Sequence, residues 1–207
     1  MTDIKNDVQK IGIIILAAGA SSRLGTAKQL LEYNGNTLLQ HALCAALDSV
    51  EHPVIVVLGA GENDIRKKVD LNKANTVVNT DWQEGMASSI RCGIQTLLQI
   101  EPQSEGAVIM LCDQPYVTSS LLNELMLAHQ NTAKPIIASS YNNTAGVPAY
   151  FHQKIFPELL ALKGDTGARS IIQQHAGETA TVVFPEGSID IDTAADYKEL
   201  SKDTEKA

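Results

Sequence analysis

Residues 12–31 read GIIILAAGASSRLGTAKQLL, and their chemistry begins where the apolar run stops. Gly19, Ser21, Ser22 and Gly25 form a loop of small residues, and Arg23 and Lys28 place two cations in it. Glycines let backbone N–H groups approach phosphate oxygens closely, and a basic side chain neutralises their charge. Two familiar phosphate loops do not fit. A dinucleotide fingerprint needs GxGxxG, whereas Gly19 and Gly25 stand six apart. A P-loop needs GxxxxGK followed by Ser or Thr, whereas Gly25 is followed by Thr26-Ala27-Lys28. The plainer alternative is a strand–loop connection with solvated cations.

Three other places carry polar groups of a useful kind. Asp113, in VIMLCDQPYVT, directly follows an apolar run, where a carboxylate can reach a ligand crevice and bind a divalent metal. A turn or N-cap aspartate ahead of Pro115 accounts for it equally well. The segment IDIDTAADY holds Asp190, Asp192 and Asp196. Asp190 and Asp192 share a face if extended, although Asp192 before Thr193 also reads as a helix cap. In NTDWQEGMASSIRCG, Gly85, Ser88 and Ser89 open a helix whose N–H and hydroxyl groups suit a nucleotide. Ordinary capping by Asp81 or Gly85 is the alternative.

The elements that must position these groups alternate along the chain. Ile11–Ala18 is short, rich in isoleucine and without polar alternation, the pattern of a strand buried on both faces. Pro53–Ala60 and Gly106–Asp113 repeat that pattern, Thr76–Asn79 gives a shorter strand, and KPIIASS another. Helical spacing predicts helices over Thr37–Val50, Asn63–Val69, Met86–Leu98 and near Ser119–Gln130. Apolar strands separated by helices indicate βαβ units, hence an α/β fold with a mainly parallel central sheet flanked by helices. Beyond Asn142 the pattern loosens, which suggests shorter elements and an antiparallel excursion. Ligands bind past the carboxyl ends of such strands, which singles out the loops after Ala18, Gly59, Asn79 and Asp113.

Composition bounds the partners. The 207 residues are 44% apolar with a net charge of −8, which suits one globular domain over 1–207 and argues against a nucleic-acid binder. The ends, 1–10 and 201–207, read as flexible. Cys44, Cys92 and Cys112 are scattered without zinc spacing, as buried reduced thiols of a cytoplasmic protein would be. KIGIIILAAGA superficially resembles a signal-peptide core. The preceding MTDIKNDVQ carries two aspartates against one lysine, and a central strand explains the run better.

LAAGASSRLGTAKQLL resembles the nucleotide-binding signature of the molybdenum cofactor cytidylyltransferases and related nucleotidyltransferases, LAAG-x-S-x-R-x-G followed by a lysine and a leucine pair. NTDWQEGMASSI, CDQP, GVPAYF, LKGDTGARSII and DIDTAADY follow in that family's order, covering roughly residues 11–200. Where close relatives often have GHP, this chain has Gly146-Val147-Pro148.

The resemblance implies a Rossmann-like nucleotidyltransferase fold and Mg²⁺-dependent transfer of CMP from CTP to molybdopterin, with release of pyrophosphate. It implies Lys28 on the α-phosphate, and Arg23 with Ser21, Ser22 and the loop around Gly25 on the departing phosphates. Asp113 and Asp192, or less favourably Asp190, would hold Mg²⁺. Leu16, Ala17, Ala18 and Gly19, with Gly85, Ser88 and Ser89, would bind the nucleotide, AAG rather than AGG favouring cytidine. Asp165 and Arg169, in GDTGAR, would touch the acceptor, unless Asp165 or Thr166 merely caps a helix and Arg169 is simply exposed. Transient contact with a molybdoenzyme or its maturation factor is also implied. Two other readings keep the scaffold: the same chemistry with GTP or a sugar phosphate, or a cofactor-binding protein or oxidoreductase without nucleotidyl transfer.

Overall fold

A computed structural model describes residues 10–21, 24, 26–49, 53–191 and 193–204. In chain order the elements are β1 (Ile11–Ala17), β2 (Glu32–Tyr33), β3 (Asn36–Thr37), α1 (Leu38–Leu47), β4 (Val54–Leu58), α2 (Glu62–Lys68), β5 (Asn75–Val78) and α3 (Met86–Ile100). They continue with β6 (Gly106–Leu111), α4 (Ser119–Thr132), β7 (Ile136–Tyr141), β8 (Thr144–His152), α5 (Phe156–Ala161), α6 (Ala168–Gln174), β9 (Thr179–Val183) and α7 (Ala194–Thr204).

Seven strands form one sheet in the order β5-β4-β1-β6-β8-β7-β9. β1 lies between β4 and β6, parallel to both, with Ile13 opposite Val54 and Val108. This central position explains why every residue of β1 is buried. Only β8 runs against the rest, antiparallel to both β6 and β7, so the sheet is mainly parallel with one reversed strand. The antiparallel excursion expected after Asn142 is therefore the β7–β8 hairpin. It turns at Asn142 and Asn143, both in the left-handed region that asparagine tolerates. The two-residue strands β2 and β3 form a separate ribbon.

Alternation along β1 divides the core. Ile11, Ile13, Ile15 and Ala17 face one layer, where α1 and α4 contribute Leu39, Leu43, Leu122 and Leu125. Ile14, Leu16 and Ala18 face the other, against Ile90, Ile94 and Leu97 of α3 and Leu159 of α5. α3 approaches closely because Gly93 has no side chain; a Cβ there would meet Ile14 Cγ2 at 2.5 Å.

At the periphery the carbonyl of Lys10 accepts from the N–H of Glu105 at 2.7 Å, and one expectation, that the cysteines are buried, is corrected. Residues 201–204 continue α7. The remainder of those ends, 1–9 and 205–207, lies outside the described residues. Of the cysteines, which are all free, only Cys112 is buried, and Cys44 is exposed because it sits on the outer side of α1. Among the described residues no helix is long and apolar enough to cross a membrane.

Candidate active site

The chain lays β4 and β5 on one side of β1 and then returns to place β6 on the other. Strand order thus reverses between β1 and β6, and a crevice opens beyond their carboxyl ends, the usual ligand position in such sheets. A cavity of about 440 Å³ occupies it. Leu16, Ala17, Ala18, Gly19, Lys28, Gly85, Ser89, Asp113 and Asp165, all expected from the sequence, line it. Ser22, Arg23, Gly25 and Asp192 lie outside the described residues.

Lys28 begins a short 3-10 turn, Lys28–Leu30, and its ammonium donates to Asp113 Oδ2. The pair is largely shielded, with side-chain exposures of 19% and 7%. Asp113 Oδ1 is buried and has no hydrogen-bond partner among the described residues. A buried carboxylate oxygen without a donor is costly, and a hard divalent cation satisfies it, so Asp113 fits the expected metal. The N–H of Ile191 donates to the carbonyl of Asp113 at 3.2 Å, which brings the 190–193 segment alongside. Asp190 itself lines a different cavity with Tyr116, Asp196 and Glu199.

Beside Asp113, burial and then the carboxylate push the Cys112 thiol up to about 12, so it stays protonated at neutral pH. Lining the cavity, it acts as an apolar wall rather than a nucleophile.

The carbonyls of the first loop are engaged within the protein. Ala18 O accepts from the N–H of Ala60 at 3.0 Å, while Ala17 O and Gly19 O accept from Gln29 Nε2 at 2.9 and 2.8 Å. Ser21 does not line the cavity; its hydroxyl accepts from the N–H of Lys28 at 2.9 Å, which makes it a brace for the loop.

The second wall is built at the start of α3. Asn79 Nδ2 donates to Ser88 Oγ at 2.8 Å and to Ser89 Oγ at 3.0 Å. Ser88 Oγ also lies 2.9 Å from Asp81 O and 2.8 Å from Gly85 O. Ser88 therefore holds the turn and does not line the cavity, unlike Ser89. No side chain caps α3; instead the N–H of Ala87 donates to Gly164 O at 3.1 Å.

That contact joins the turn to the loop at 163–167. Gly85, with φ of +120°, leaves the space that Asp165 Oδ1 fills. Arg91 grips both oxygens of Glu84 at 3.0 and 2.6 Å and donates to Leu162 O at 2.6 Å, while Glu84 accepts from the N–H of Gly164 at 3.2 Å. The Arg91 hydrogen bond holds the Glu84 carboxyl below its ordinary range. Asp165 thus reaches the cavity, and neither it nor Thr166 caps α6, whose N-cap is Gly167. Arg169, expected beside the acceptor, donates to Thr144 Oγ1 at 2.6 Å and does not line this cavity.

Sequence reasoning missed Gln29, Trp82 and Gln83 on the cavity wall. The one available signal for Gln29 was a polar side chain just before Leu30-Leu31.

This mainly parallel sheet, with a lysine and an aspartate meeting at its switch point, has the Rossmann-like architecture of the nucleotidyltransferases. Residues 13–179 match the MobA-like NTP transferase domain, and the chain belongs to that family. It is 30% identical over 168 residues to "Nicotine blue oxidoreductase" of Paenarthrobacter nicotinovorans, covering 78% of this chain and 80% of that one. It is also 30% identical to "Purine catabolism protein PucB" of Bacillus subtilis, covering 89% and 92%. "Molybdenum cofactor cytidylyltransferase" of Escherichia coli is 23% identical over 90% of this chain and 93% of its own. Among solved structures, Rv0371c of Mycobacterium tuberculosis superposes with a TM-score of 0.82 at 31% identity, over 94% of this chain and 98% of that one. A manganese complex of Rv0371c gives 0.78 at 28% identity, over 94% and 99%.

Proposed function

We propose that this protein is a Mg²⁺-dependent cytidylyltransferase that transfers CMP from CTP to molybdopterin. The observation that carries the reading is the meeting of Lys28 and Asp113 at the switch-point cavity, directly after the glycine loop. The curated cytidylyltransferase relative, similar along nearly the whole chain, supports the substrates. The manganese complex of a structural relative supports a divalent ion.

A phosphate oxygen of the acceptor attacks the α-phosphorus of CTP, the bond to the β-phosphate oxygen breaks, and pyrophosphate leaves. Both reactants are anions, so charge neutralisation and alignment dominate the catalysis. Lys28 leaves Asp113 for the α-phosphate and carries the charge that grows there. Arg23, Ser22 and the loop amides through Gly25 hold the departing phosphates, with Ser21 bracing the loop. Asp113 and Asp192 would hold Mg²⁺, which would supply positive charge to the reacting phosphates. Leu16, Ala17, Ala18 and Gly19 face the base together with Gly85 and Ser89. Backbone amides and carbonyls there read the base edge, the carbonyls of 17–19 each with one lone pair already engaged internally. Asp165 meets the acceptor, and the product passes, in the cytoplasm, to a molybdoenzyme or its maturation factor.

Pyrophosphate release, measured with Mg²⁺, molybdopterin and each of the four NTPs, tests this. Release with CTP alone is expected. Release only with GTP keeps the chemistry and changes the nucleotide. No release with any NTP overturns the reading and favours a redox activity of the kind named for the Paenarthrobacter relative.

A further inference from the structure

We propose that Gln29 is a positioning residue for the phosphate loop, its buried carboxamide fixing the peptide planes after Ala17 and Gly19. The side chain is 1% exposed. Its Nε2 donates to Ala17 O at 2.9 Å and to Gly19 O at 2.8 Å, reaching back 12 and 10 residues. Its Oε1 accepts, at 3.5 Å, from the Ser21 hydroxyl, which itself accepts from the N–H of Lys28. One carboxamide thus ties the end of β1, the turn of the loop and the start of the Lys28 turn into a closed circuit.

The consequence concerns the other ends of those peptides. A trans peptide holds its C=O and N–H antiparallel in one plane, so anchoring Ala17 O and Gly19 O sets the directions of the Ala18 and Ala20 N–H groups. Donors set before a ligand arrives need no reorganisation when charge develops. The Lys28–Leu30 turn has no side-chain cap at Ala27, and Ser21 sits at φ of +53°; the Gln29 bonds tie these two places to the end of β1.

That these amides serve a triphosphate rests on the function proposed above; that Gln29 orders them does not. Gln29→Glu keeps the size and the acceptor for Ser21 but removes both donors, and Gln29→Met keeps the bulk alone. Amide hydrogen exchange in the ligand-free proteins is the first readout. Loss of two hydrogen bonds should speed exchange across 18–28 by about tenfold or more, with Val54–Leu58 unchanged. Protection should return in part to Gln29→Glu, and not to Gln29→Met, as pH falls and the carboxyl regains one O–H donor in place of two N–H donors. Unchanged exchange in the loop, or equal acceleration everywhere, overturns the proposal. KM for the NTP is the second readout, expected to rise about tenfold while kcat changes less. A loop that loosens without any change in KM overturns the role toward phosphate. If the wild type turns over no NTP, the nucleotide reading fails, and exchange still decides the role of Gln29.

Discussion

The Lys28 ammonium donates to the Asp113 carboxylate across 85 residues of sequence, joining the loop after β1 to the end of β6. In the reaction proposed above, Lys28 would turn from Asp113 to a phosphate and Asp113 would hold the divalent ion, so neither charge would be left stranded in the cavity.

Asp113→Asn tests that exchange. The amide still accepts from Lys28 but carries no charge for a metal. Turnover should fall by about 10²–10³-fold, the usual scale for a preorganised electrostatic contact. Manganese binding, followed by electron paramagnetic resonance with CTP present, should weaken in parallel. Undiminished manganese binding would remove Asp113 from the metal site.

Gly85→Ala tests the contact between the two walls of the cavity. A Cβ at this position would overlap Asp165 Oδ1 and lie 2.6 Å from Gly164 O, at a φ of +120°. The strained backbone should cost about 1–3 kcal/mol, seen as a lower denaturation midpoint. KM for the acceptor should rise because Asp165 must move. An unchanged midpoint and KM would show that the 163–167 loop adapts freely.

Much of this was legible in the sequence, and the misses have physical causes. β1, β4 and β6 are buried on both faces, so burial writes a continuous apolar run into each. β9 is an edge strand with Val183 77% exposed, so TATVV carries no such run. β8 contains Gly146 and Pro148, which read as turn residues although they sit in a strand with a bulge opposite Ala138 and Ser139. Lys28 and Asp113 stood out because their charges follow apolar strands. Gln29 did not, because an uncharged amide looks the same in sequence whether it faces water or staples a loop. Ser88 and Arg169 were legible as polar groups, but only the fold shows which neighbours engage them.

Ile14→Ala tests the packing that carries the first loop. Ile14 is fully buried against Gly93 of α3, where the glycine has no side chain to fill a gap. Unfolding free energy should fall by about 2–5 kcal/mol. A loss well under that range would mean that α3 settles onto β1.

His175 gives a pH dependence away from the site. Its Nε2 lies 2.9 Å from Glu158 Oε2 and its Nδ1 3.2 Å from Glu178 Oε2, and these bonds, Glu158 first, raise its pKa above the ordinary 6.5. The folded state therefore binds this proton more tightly than the unfolded chain. The stabilisation is complete below pH of about 6.5 and is lost as pH rises through the folded pKa. Water screens the cluster, so the effect is small. The melting-temperature gap between wild type and His175→Gln should be widest at pH 5.5 and close on the alkaline side, with pH 5.5 chosen to lie about one unit below the ordinary value. A gap that widens with pH would contradict the assignment.

Transfer of label from [α-³²P]CTP to molybdopterin, run side by side in wild type and Lys28→Ala with Mg²⁺, tests the central claim most directly. Wild type should form labelled cytosine dinucleotide with equimolar pyrophosphate, and Lys28→Ala should be slower by about 10²-fold or more while retaining the fold. No labelled product from wild type, or equal rates from the two proteins, would contradict it.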